Sequence, residues 1–82
     1  MKSTEGSRFG HYMVALREQV SIELEEAAAL LGVQVEKLSQ WERGQGLPSM
    51  TFVEKISEVY KVPVAEFSEI LKLEIKFKKK SP

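Results

Sequence analysis

Along most of this chain the apolar residues recur at spacings of three and four. Phe9, Met13, Leu16 and Val20 stand four, three and four positions apart, which puts them on one side of an amphipathic helix. A second run, SIELEEAAALLG at 21–32, opens with Ser21 as its expected cap. It places three glutamates near the positive end of the helix dipole and closes on Gly32 as a left-handed stop. The small residues Ala27, Ala28 and Ala29 let another helix come close. The third run, 35–43, repeats the pattern through Val35, Leu38 and Trp41 or Glu42 and stops at Gly44. In the QGLPSM stretch that follows, Pro48 cannot continue a helix, and Ser49 can accept a hydrogen bond from an orphan amide of the next one. Phe52, Val53, Ile56, Val59 and Tyr60 form the fourth stripe, broken at 61–63. A fifth helix is expected from Val64, with Pro63 at or before its first turn and Phe67, Ile70 and Leu71 inward. The pattern predicts an all-α, compact five-helix domain, each helix 8 to 12 residues long.

Both ends depart from this regularity. Residues 1–8 are polar and read as a flexible N-terminal arm, so that ordered structure starts at Phe9 and the domain runs over 9–71. Residues 72–82 are a basic tail. Within it KLEIKFK alternates Leu73, Ile75 and Phe77 with Glu74, Lys76 and Lys78, a period-two pattern that suits a short strand with one apolar face. A lone strand needs a partner to pair with, so a dimer-forming strand is one reading. The other is a frayed extension of the fifth helix ending in solvated lysines.

Composition narrows the function classes. At 82 residues the chain has room for one small domain. It has no cysteine, hence no disulfide framework, thiolate metal site or cysteine nucleophile, in keeping with a reducing cytoplasm. No signal-like or membrane-length apolar run is present, so a soluble cytoplasmic protein is expected. One histidine and no aspartate leave general acid–base chemistry to glutamates at solvent-facing helical spacings, so no enzyme, metal or cofactor is expected. His11, with no second ligand nearby, reads as an ordinary side chain. Gly44 and Gly46 are no phosphate loop, since no strand precedes them and no Gly-Lys-Ser follows.

Charge is uneven beneath a formal net of zero. Residues 21–43 hold five Glu against Lys37 and Arg43, a balance of −3, whereas residues 72–80 hold five Lys against Glu74, a balance of +4.

The segments LRE at 16–18, ALLGV at 29–33, LSQWERG at 38–44, Pro48 and VPVAEF at 62–67 together resemble the Cro and phage-repressor type of helix-turn-helix domain, the XRE family. This resemblance implies a lambda-repressor-like five-helix bundle with the helix-turn-helix at helices 2 and 3. It also implies an ion pair between Arg17 and Glu42, a structural tie from helix 1 to the end of helix 3, with Trp41 in the core covering it. The base-facing positions of the family fall on Gln34, Val35, Glu36, Lys37 and Gln40. Its phosphate-facing positions fall on Arg43 and the loop amides from Gln45 to Ser49, with Lys55 on helix 4, Lys2 and Arg8 in the arm, and the lysine tail as further basic groups.

Two departures matter. Where the family usually places a phosphate-holding glutamine at the start of helix 2, this chain has Leu24 among Glu23, Glu25 and Glu26, and carboxylates there favour the helix dipole but oppose a phosphate. Gln34 is no Ser, Thr or Asp cap for helix 3. The resemblance implies sequence-specific binding of double-stranded DNA by a homodimeric transcriptional regulator. The alternative is a degenerate helix-turn-helix domain that binds a protein partner, with Leu24 exposed among carboxylates as part of the docking surface.

Overall fold

The computed structural model describes the backbone of residues 8–80 and the side-chain surroundings of residues 8–76. Five α-helices follow one another: α1 (Arg8–Gln19), α2 (Leu24–Leu31), α3 (Val35–Glu42), α4 (Val53–Tyr60) and α5 (Val64–Lys80), with one 3₁₀ turn at Met50–Phe52 leading into α4. The arm at 1–7 and Lys2 lie outside the described residues, as do the side chains of Lys78, Lys79 and Lys80. Arg8 belongs to α1.

The helical stripes meet in one core. Phe9, Met13 and Leu16 of α1, Ala27, Ala28 and Leu31 of α2, Leu38 and Trp41 of α3, Val53, Ile56 and Tyr60 of α4, and Phe67 and Leu71 of α5 are all buried. Phe9 and Phe67 meet at 5.7 Å between ring centroids, Tyr12 stacks on Phe67 at 5.9 Å, and Trp41 meets the edge of Phe52 at 5.5 Å. Such tilted and offset pairs add to the area they bury. The Tyr12 hydroxyl donates to Glu66 Oε2 at 2.8 Å, joining α1 to α5.

Backbone turns set the order of the elements. Gly32 ends α2 in the left-handed region at φ 76°, where its amide and that of Val33 reach back to Ala29 and Ala28 carbonyls, a closure that glycine adopts without steric cost. Lys61 ends α4 in the same region at φ 58°. Ser21 does not cap α2. It also sits at φ 58°, its amide bonded to the Glu18 carbonyl, so it serves as the left-handed exit from α1. Glu23 takes the capping position of α2 without a side-chain hydrogen bond. Ser49, expected to cap the next helix, pairs its hydroxyl with that of Thr51 at 2.6 Å instead, and its backbone carbonyl receives the Phe52 amide.

The strand reading of the basic tail fails. Residues 72–80 continue α5, which reaches 17 residues and so exceeds the expected 8 to 12. The reason lies in Phe67, Leu71 and Ile75, which fall four apart. Phe67 and Leu71 are fully buried and Ile75 packs against the core, so a helix buries all three on one side while Leu73 stays exposed. Tertiary burial at period four overrides the local alternation, and the Lys, Glu and Leu residues of the stretch are good helix formers.

Candidate nucleic-acid interface

α3 divides sharply between two sides. Leu38 and Trp41 are buried, while Gln34, Val35, Glu36 and Lys37 are exposed and Gln40 is half-buried. Gln34, Glu36, Lys37 and Gln40 line one surface hollow of about 210 Å³. Lys37 and Gln40, three apart, and Glu36 and Gln40, four apart, lie on the same helical face. Val35, though exposed, does not line the hollow. The capping position of α3 is Gln34, which makes no side-chain cap bond.

Beneath this face α3 is braced by α1. Arg17 Nε donates to Glu42 Oε2 at 2.8 Å and Nη2 to Oε1 at 3.2 Å, a two-point fork. Its Nη1 donates to the Ile22 carbonyl at 3.1 Å, so one guanidinium ties α1, the α1–α2 loop and the end of α3. The hydrogen bond to Glu42 holds the Arg17 guanidinium above its ordinary pKa, against the opposing effect of burial. The hydroxyl of Tyr60 on α4 also lies close enough to feel both charges. Burial, with Glu42 adding and Arg17 opposing, pushes its phenol up to about 12. Among the described residues that hydroxyl is buried without a hydrogen-bond partner, as is the Ser57 hydroxyl.

A second brace escaped the sequence reading. Gly10 is buried in α1, and a β-carbon there would stand 2.6 Å from the Glu42 carbonyl oxygen. Only a residue without a side chain allows α1 this close to the last turn of α3. The available signal was a glycine inside an amphipathic helix, where it costs about 1 kcal/mol relative to alanine and marks close backbone approach.

The exit from α3 carries the expected phosphate-facing group. Arg43 is exposed; its Nη1 donates to Ser39 Oγ and its Nη2 to Gln45 Oε1 at 3.2 Å. Gly44 turns the chain at φ 76°, and the Gln45 amide then bonds the Gln40 carbonyl at 2.8 Å. That amide is therefore occupied within the chain. Among the described residues, the amides of Gly46, Leu47 and Ser49 make no such bond. Lys55 is exposed on α4. At the start of α2, Glu23, Glu25 and Glu26 are exposed, but Leu24 is half-buried and packs against the core. The expected role of Leu24 as an exposed docking residue is thus corrected: its side chain is an inward anchor of the first turn of α2.

The arrangement is a helix-turn-helix: α2, the Gly32 turn, and α3 with one side packed and one side open. A family model described as a helix-turn-helix domain, of the XRE-like clan, matches residues 8–70. The chain belongs to this family. Its members are typically non-enzymatic DNA-binding domains. None of the curated proteins matches this helix-turn-helix chain. Among the described residues, no helix is long and apolar enough to cross a membrane, and no group of three or more potential ligands could hold a metal ion.

Proposed function

We propose that this helix-turn-helix domain is a transcriptional regulator that reads a specific DNA sequence with α3 in the major groove, acting as a dimer. The open side of α3 carries the reading. Gln40 can make paired hydrogen bonds to adenine, Lys37 can donate to guanine or to a phosphate, Glu36 can accept from cytosine, and Val35 can touch a thymine methyl; Gln34 stands at the leading end. This face is readable without being basic. Phosphate affinity then falls to Arg43, the unbonded amides of the loop at Gly46, Leu47 and Ser49, and Lys55, with the side chain of Ser49 beside them and that of Gln45 bonded to Arg43. Each phosphate neutralised steepens the salt dependence of binding by about 0.9 in log units.

Size supports pairing. The folded chain measures 35 × 28 × 20 Å, and two recognition helices in successive major grooves stand about 34 Å apart. The longest extent of the chain is comparable to that spacing. Cytoplasmic residence goes with this reading.

Fluorescence anisotropy on a random duplex at low salt tests DNA binding, and selection from a random oligonucleotide pool tests specificity. Binding that weakens with salt and an enriched inverted repeat are expected; absence of any salt-sensitive binding ends the reading. The competing role, a protein-interaction module, is favoured by the exposed carboxylates Glu23, Glu25 and Glu26 at the start of α2, which repel phosphate. It loses Leu24 as support, because that side chain packs inward.

A further inference from the structure

We propose that Ser39 and Gln45 are positioning residues for Arg43, holding its guanidinium ready to receive a DNA phosphate; this rests on the DNA-binding reading above. A guanidinium has five N–H donors in a planar fork. Two of them are taken, one by Ser39 Oγ and one by Gln45 Oε1, and three remain for a ligand. Both acceptors are neutral, and among the described residues no carboxylate pairs with Arg43. The neighbouring Glu42 is committed to Arg17 through both of its oxygens. The side chain is therefore held in place with its charge intact, whereas a carboxylate clasp would hold it and cancel the charge.

Both jaws of the clasp are themselves fixed. Ser39 lies on α3 one turn ahead of Arg43, and Gln45 is pinned by its own amide to the Gln40 carbonyl at 2.8 Å, just after the left-handed Gly44. Gln40 is the residue assigned to adenine. The phosphate contact and the base contact thus spring from one turn of chain, in a fixed relation to each other. A long, rotamer-rich arginine loses less freedom on binding when it is already held, which raises affinity with no new contact.

The test is a salt titration of binding to a random-sequence duplex by fluorescence anisotropy, using the full chain. Arg43→Ala should flatten the salt slope by about 0.9, the loss of one phosphate. The double variant Ser39→Ala with Gln45→Ala should weaken low-salt binding by roughly three- to tenfold, the worth of one ordinary hydrogen bond or more, and should shift the slope toward that of Arg43→Ala. Ser39→Thr, which keeps the hydroxyl, should bind like the wild type. On an Arg43→Ala background the two clasp substitutions should add nothing. Unchanged affinity and slope in the double variant would overturn the proposal while leaving DNA binding intact. So would an equal loss with and without Arg43, which would mean that Ser39 and Gln45 meet DNA themselves. A wild-type chain that binds no duplex removes the underlying reading and this inference together. Thermal melting of each variant separates these effects from loss of fold.

Discussion

Glu42 supports the domain with two different parts of one residue. Its carboxylate takes the Arg17 fork, and its main-chain carbonyl presses against the bare α-carbon of Gly10. Arg17→Ala should destabilise the domain by about 1–3 kcal/mol, because it leaves the part-buried Glu42 carboxylate without its hydrogen-bonding partner. In a small domain that is a large share of the total, and urea denaturation would show it. Gly10→Ala should cost about 1–3 kcal/mol through enforced overpacking, even though alanine is the better helix former. A midpoint equal to that of the wild type would mean that α1 and α3 are not in contact there. Tyr60 supplies a pH dependence. Its phenol, ordinarily near 10, is pushed up to about 12 in the fold, so the folded state holds this proton more tightly than the unfolded one. Its contribution is complete below pH 10 and is lost as pH rises through 12. Tyr60→Phe should flatten the stability profile over that range. Near pH 7 it should also raise Tm, since it removes a buried hydroxyl that has no partner among the described residues.

At the scale of elements, sequence patterning was informative where burial and period agree. The stripes of α1 and α4 give those helices directly, because the apolar residues at every third or fourth position supply Phe9, Met13 and Leu16, and Val53, Ile56 and Tyr60, to the core. Gly32 was legible as a stop, since a left-handed closure selects glycine. What the pattern missed depends on contacts distant in the chain. The alternation of 73–77 could not reveal that Ile75 continues the Phe67 and Leu71 row against the core, and Ser21, a favoured cap by residue type, is used as an exit turn. The open side of α3 was legible as the complement of Leu38 and Trp41, whereas the Arg43 clasp was not, because it needs the left-handed turn at Gly44 to bring Gln45 back. Lys61 occupies a similar left-handed position at the end of α4. Lys61→Gly should relieve its strain and stabilise by up to about 1 kcal/mol, visible as a higher melting temperature.

For the molecule as a whole, charge is arranged against a simple electrostatic docking. The formal net charge is zero, and the start of α2 exposes the carboxylates Glu23, Glu25 and Glu26, so on the proposed reading affinity for DNA should depend on a few placed groups rather than on a basic surface. Lys37→Glu and Gln40→Ala should each abolish preference for the selected site while leaving thermal stability within about 0.5 kcal/mol, as surface substitutions do. Competition between specific and random duplex measures this, and a preserved ratio in both variants would separate α3 from recognition.

The division of α3 into a packed side and an open side has a further consequence for how such a domain diversifies. Leu38, Trp41 and Glu42 answer to the interior and Gln40 stands at the boundary, while Gln34, Val35, Glu36 and Lys37 answer only to whatever lies outside. Those four letters can be rewritten as a set, and the chassis that carries them need not notice.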